Sequence, residues 1–250
     1  MRKRKLKPKT YTHKTKGLLA RLVNFFLTKV LIKKLQFIFH NGEPDSPSVL
    51  VSNHTALIAP LSMQYMYPDK IRTWSNGKLI DAKLCYDMLK NEVLVGRHNK
   101  LIYKLLLPMV SPLIAYYFRV TFNSIPVYHD LRIAKTLKES IATLEQGVHL
   151  AIYPEQKEPA INEILCPFAS GFTYIAYSYY METGKLLKFY PIYYAFSLKQ
   201  VHIGNPIEYN PEIDIKKQSL DITAYLEDAI VQLARDLPAH KIFHYEKAIK

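Results

Sequence analysis

The apolar positions of this chain recur at two periods. Val49, Leu50 and Val51 form a short apolar run ending in Ser52-Asn53-His54. That is the pattern of a strand buried on both faces that delivers a polar loop at its carboxyl end. Ser124–Tyr128, His149–Tyr153, Phe189–Phe196 and Val201–Ile203 are further runs of strand length. Between them the period lengthens. Residues 131–145 place Ile133, Leu137, Ile141 and Leu144 on one helical face, with Gly147 as the stop. Residues 169–183 predict a second helix, stopped near Gly184. Residues 219–236 predict a closing amphipathic helix with Ser219 as its N-cap and Pro238 beyond its end. Strands separated by helices predict an α/β fold, a partly parallel mixed sheet flanked by helices.

Two apolar stretches fall outside this alternation. Residues 17–39 (GLLARLVNFFLTKVLIKKLQFIF) are long enough to span a bilayer, but Arg21, Lys29, Lys33 and Lys34 interrupt them. An amphipathic helix lying in a membrane surface fits the pattern, with apolar side chains in the acyl layer and lysines among the headgroups. Residues 101–122 are broken by Pro108 and Pro112. This second stretch suits core packing or one wall of a lipid-facing groove. The turn formers of residues 41–48 (NGEPDSPS) mark a boundary, so the chain divides into 1–42, a basic arm plus interfacial helix, and 43–250, the α/β domain.

Charge sharpens that division. Of the net +13, residues 1–42 hold twelve Lys or Arg and no acid; the remainder holds 22 basic and 21 acidic residues, a net of +1. A nearly neutral globule with a cationic arm suits anionic membrane lipids and the cytoplasmic face of a membrane, with the chain peripheral or monotopic. No nucleic acid is expected, because the arm lacks interleaved aromatics at residues 2–9. Cys85 and Cys166 give neither a disulfide framework nor the spacing of a metal site, so no metal is expected and a reducing compartment is the simpler reading.

In an open α/β sheet, ligands sit beyond the carboxyl ends of the strands. Two polar sequences occupy such places, Ser52-Asn53-His54-Thr55 and Tyr153-Pro154-Glu155-Gln156-Lys157. Ser-Asn-His after an apolar strand resembles the first sequence block of the glycerophospholipid acyltransferase superfamily, the 1-acylglycerol-3-phosphate acyltransferase-like proteins. Ile125-Pro126-Val127 followed by a helix ending at Gly147 resembles the second block. Tyr153-Pro154-Glu155, then Phe168-Ala169-Ser170-Gly171 and a helix, resembles the third. Tyr190-Pro191-Ile192, then Ile203-Gly204-Asn205-Pro206-Ile207, resembles the fourth and the strand after it. The order and approximate spacing agree over residues 48–210.

The resemblance implies transfer of an acyl chain from a thioester on coenzyme A or acyl carrier protein to a hydroxyl of a lysophospholipid or related glycerolipid. The thioester is a co-substrate, and no cofactor is implied. His54 matches the family's general base, a task suited to an imidazole near neutral pH. Glu155 is the motif carboxylate nearest to a supporting role. Asn53, Thr55, Pro154, Lys157 and Gly171 are the implied substrate-binding positions. The chain departs from the family in four places. Ala59 stands where the family has the Asp five residues after its His, and Gln156 where it has Gly. Glu158 and His129 stand where it has Arg. A methyl group cannot orient an imidazole. Two readings therefore follow: an acyltransferase whose His54 is oriented by Glu155 or a backbone carbonyl, or a catalytically inactive lipid-binding protein of the same fold.

Overall fold

The computed structural model describes residues 35–55, 58–67, 70–93, 100–128, 130–156 and 161–242. The basic arm and the helix expected over its apolar stretch lie, up to residue 34, outside the described residues. So do Lys157, Glu158 and His129.

Among the described residues eight strands form one sheet: β1 (Gln36–Phe39), β2 (Val49–Ser52), β3 (Ile71–Asn76), β4 (Ile125–Val127), β5 (His149–Ile152), β6 (Lys188–Ala195), β7 (Gln200–Ile203) and β8 (Ile207–Glu208). The order is β1-β7-β6-β2-β5-β3-β4, with β8 pairing β6. The five consecutive strands from β6 to the edge strand β4 (β6, β2, β5, β3 and β4) are mutually parallel. The hairpin partner β7 runs antiparallel to β6, and β1 joins β7 in parallel. β2 and β5 are buried at every residue, as expected of strands covered on both faces.

Among the described residues six α-helices accompany the sheet: α1 (Ile58–Met66), α2 (Ala82–Met88), α3 (Lys100–Tyr116), α4 (Ile133–Leu144), α5 (Tyr174–Thr183) and α6 (Ile215–Arg235). Alternate residues of β2 sort the helices into two layers. Val49 and Val51 pack with Leu150 and Ile152 against Ile141 of α4, Ile175 of α5 and Leu226 of α6. Leu50 packs with Ala151 and Ile192 against Ala59 and Met63 of α1. A smaller cluster joins Leu61 of α1 to Phe118 and Phe122, just beyond α3. Arg72 on β3 is buried. It donates to the Asn123 carbonyl at 2.8 Å, to Thr143 Oγ1 at 3.0 Å and to Glu139 at 2.7 Å, which pins the sheet to α4.

The α/β alternation expected from the periodicity is present, and Gly147 and Gly184 stop their helices at φ +74° and +71°, where a side chain would be strained. Two details differ from the sequence reading, and a third adds to it. Gln36–Phe39, taken as the end of the N-terminal helix, is a strand, because its backbone groups pair with β7. The sheet therefore begins before residue 43, and deleting residues 1–40 would remove an edge strand as well as the arm. The closing helix starts at Ile215, not near Ser219. Asp214 caps it by accepting from the amides of Lys216 and Lys217, while Ser219 lies inside the helix, 2.7 Å from Thr173 Oγ1. The stretch over 101–122 is helical through Tyr116 and continues as one wide π turn over Tyr117–Thr121.

Candidate active site

β2 and β5 are neighbours with Val51 opposite Ile152. β2 leads into α1 on one face of the sheet, and β5 leads into α5 on the other. Where consecutive helices diverge in this way, a crevice opens beyond the carboxyl ends of the two strands. Both polar sequences singled out above start at those carboxyl ends.

The first is held from below. Asn53 is buried, and its side-chain oxygen accepts from the Tyr194 amide at 2.8 Å, extending the β2–β6 pairing past the last residue of β2. The Ser52 hydroxyl donates to the Asn53 carbonyl at 2.8 Å. The Thr55 carbonyl accepts from the Ile58 amide at 3.1 Å and so begins α1. His54, half-buried, stands between strand and helix.

The second sequence is held by a short zipper. The Ala169 amide donates to the Pro154 carbonyl at 3.0 Å, and the Gln156 amide donates to the Pro167 carbonyl at 2.9 Å, with Glu155 bridged to Phe168. Pro154 and Glu155 are buried. Gly171 lies exposed in the 3-10 turn Ser170–Thr173 that precedes α5, with open space where a Cβ would stand.

The two sequences meet. Glu155 Oε2 accepts from the His54 backbone amide at 3.1 Å. Burial pushes the Glu155 carboxyl up to about 7, against the pull of the His54 and Cys166 amides that bond to its charged form. The Tyr153 ring stands edge-on to the His54 ring, with centroids 6.0 Å apart and planes at 75°. Two hydroxyls beside His54 in sequence or space, Thr55 Oγ1 and the Tyr153 OH, are buried without a hydrogen-bond partner. Buried hydroxyls left this way cost stability unless something polar binds them.

The structure thus brings His54 and Glu155 together, as their shared position after apolar strands predicts, but the bond runs to the His54 backbone. Glu155 fixes the loop that carries the imidazole. Ala59 is fully buried, packed with Leu50, Met63 and Ile71. Its carbonyl accepts from the Tyr194 hydroxyl at 3.1 Å and from Ser62 Oγ at 2.9 Å, and Ser62 Oγ also lies 2.7 Å from the Tyr194 oxygen. The first turn of α1 is therefore anchored to β6 by a hydroxyl pair. Tyr194 and Ser62 are not among the residues the sequence singles out, and Tyr153 stands in its motif there without a role. The alternation in β6 puts Tyr190, Ile192 and Tyr194 on one face, but only the fold shows that this face meets α1.

No protein-family model matches the sequence, and comparison with curated protein sequences finds no match. Among solved structures the chain is similar to the 1-acyl-sn-glycerophosphate (LPA) acyltransferase PlsC from Thermotoga maritima. The identity is 15% and the TM-score 0.47, with 89% of this chain and 81% of that chain covered. A likeness this distant carries no argument about chemistry, which has to rest on the residues of the crevice.

Proposed function

We propose that the chain transfers an acyl group from a thioester, on coenzyme A or acyl carrier protein, to a hydroxyl of a lysophospholipid or related glycerolipid. The observation that carries this reading is the seating of His54 at the carboxyl-end crevice, its backbone held at 3.1 Å by a buried carboxyl. The motif order over residues 48–210 agrees with it.

In this mechanism the His54 imidazole takes the proton of the acceptor hydroxyl as its oxygen attacks the thioester carbonyl. The tetrahedral anion collapses, the C–S bond breaks, and the departing thiolate recovers the proton from the imidazolium. The products are an ester and a thiol, with no change of oxidation state. Glu155 is a positioning residue, since its contact is to the backbone that aims the ring. Thr55 Oγ1 and the Tyr153 hydroxyl are the buried groups free to meet a polar atom of the substrate. The cationic residues 1–42 would hold the chain at an anionic membrane surface.

A second reading, lipid binding without turnover, is favoured by one observation. At the position where the resembled family has a carboxylate, the Ala59 methyl is sealed in the core. Incubation of the full chain with acyl thioester and a panel of lysophospholipids, followed by mass spectrometry, separates the two. The acyltransferase reading predicts a new diacyl product and a fall of about 10²–10⁴ in its rate for His54→Ala. Lipid retained with no thioester consumed favours the second reading.

A further inference from the structure

α3 has two unlike faces. Leu107, Ser111, Ala115 and Phe118, spaced at helical intervals, are buried. The opposite face carries Leu105, Met109 and Leu113, exposed by 77%, 68% and 57%, with Leu106, Val110 and Tyr116 beside them. No Lys, Arg, Asp or Glu occurs between residues 105 and 118. A large contiguous apolar face in water marks an interaction surface, whereas scattered exposed leucines do not.

Charge identifies the occupant. α2 packs against α3, and Lys78, Lys83, Lys90 and Arg119 are exposed around the two helices, against the exposed acids Asp81 and Asp87. Over residues 78–119 the sequence holds seven Lys or Arg and three Asp or Glu, a net of +4, while the whole of residues 43–250 nets +1. An apolar face with an excess of exposed cations on the elements beside it matches an anionic bilayer surface, with the apolar side chains among the acyl chains and the cations among phosphates. No helix among the described residues is long and apolar enough to cross a membrane. The prolines at 108 and 112 also suit a helix lying in the wet interface, where water can satisfy carbonyls that a proline leaves unpaired.

We propose that the exposed face of α3 is a bilayer-docking surface of the α/β domain itself, separate from the N-terminal arm and inserted among the acyl chains of anionic membranes. The placement has a consequence for the crevice. Phe118 and Phe122, at the end of this platform, pack on Leu61 of α1, the helix that starts just after His54. Docking through α3 therefore seats the His54 helix at a fixed height above the lipid. The inference does not depend on turnover, since binding is read without any acyl donor.

The test uses the full chain with Met109→Cys carrying a polarity-sensitive fluorophore. Cys85 and Cys166 are buried, which directs labelling to the new thiol. Lys138→Cys, exposed on α4 on the opposite face of the sheet, is the control. With phosphatidylcholine vesicles containing phosphatidylglycerol, the label at 109 shifts to the blue and is quenched by a nitroxide placed on the acyl chains, while the label at 138 is neither shifted nor quenched. The double variant Leu105→Asp/Met109→Asp, altered only at exposed positions, binds these vesicles at least about tenfold more weakly, the worth of one buried leucine-sized side chain. Three results overturn the proposal. They are vesicle binding with no quenching at 109, a concentration-dependent blue shift without vesicles (a second copy covers the face), and unchanged vesicle affinity of the double variant (the arm alone binds).

Discussion

The paired strands β2 and β5 carry a polar couple at each end, and the two couples share the same offset of 101 residues: Ser48 with His149, and His54 with Glu155. At the amino ends, His149 Nδ1 and Ser48 Oγ lie 2.8 Å apart, both residues are sealed from water, and the Tyr67 ring lies 4.9 Å from the imidazole. Burial, with help from Lys70, pushes the His149 imidazole down to about 4. It is a neutral, satisfied core residue. At the carboxyl ends the histidine is half-exposed and its carboxyl partner is pushed up to about 7; buried hydroxyls without a partner lie at both ends, Tyr67 OH at the amino end and Thr55 Oγ1 and Tyr153 OH at the other. The residue types at the two ends are similar. What differs is the path of the chain beyond them: α1 and α5 leave the carboxyl ends for opposite faces of the sheet, the topology at which open α/β sheets take ligands.

The largest expected effect comes from putting a carboxylate at residue 59. The sequence alone suggests that Ala59→Asp repairs the family's His–Asp pairing, on condition that the crevice can hold the charge. The site is a fully buried contact with Leu50, Met63 and Ile71. An aspartate there finds an apolar wall and costs about 3–5 kcal/mol of stability, as an unpaired buried charge does. Urea unfolding measures it. A variant as stable as the wild type with raised transfer would show that residue 59 opens onto the crevice.

The pH dependence of stability sharpens the comparison, because the two ends titrate in opposite senses. His149 ionises at 6.5 when unfolded and about 4 when folded. Its contribution is present above pH 6.5 and is lost as pH falls through 4, on the order of 3 kcal/mol. Glu155 ionises at 4.5 when unfolded and about 7 when folded. Its contribution is present below pH 4.5 and is lost as pH rises through 7, again on the order of 3 kcal/mol. Between pH 4.5 and 6.5 the two slopes oppose each other. His149→Phe should uncover a fall in stability with rising pH, and Glu155→Gln a rise. Equal slopes in wild type and both variants across unfolding curves at several pH values would assign the shifts to other groups.

A smaller effect tests the anchor beneath α1. Tyr194→Phe removes the hydroxyl that bonds the Ala59 carbonyl and meets Ser62. It should cost about 1 kcal/mol in denaturant unfolding, the net value of an ordinary buried hydrogen bond. A loss of several kcal/mol would mean that the whole helix start depends on that one group.

The sequence makes one end of this comparison visible and hides the other. β2 and β5 are legible because a strand covered on both faces is a continuous apolar run, and the polar residues that end each run stand out. Gly147 and Gly184 mark their helix ends because a left-handed residue is needed there. β1 is not legible, since Gln36–Phe39 continues an apolar stretch studded with lysines and only pairing with β7 makes it a strand. β3 is hidden too: Arg72 breaks its apolar run, and the partners that make a buried arginine tolerable, Asn123, Glu139 and Thr143, lie far along the chain. In the sequence His54 follows a strand and His149 opens one. Which one meets a crevice depends on which face α1 and α5 take, and that is a property of the folded layers.

The most direct test of the account is to follow thiol release from an acyl thioester, in the presence of a lysophospholipid acceptor, for wild type, His54→Ala and His149→Phe side by side. All three are measured at a temperature where circular dichroism shows them folded. The account predicts that His149→Phe keeps the wild-type rate at reduced thermal stability, while His54→Ala keeps its stability and loses the rate. Thiol release by His54→Ala at the wild-type rate, or an equal loss in both variants, would contradict it.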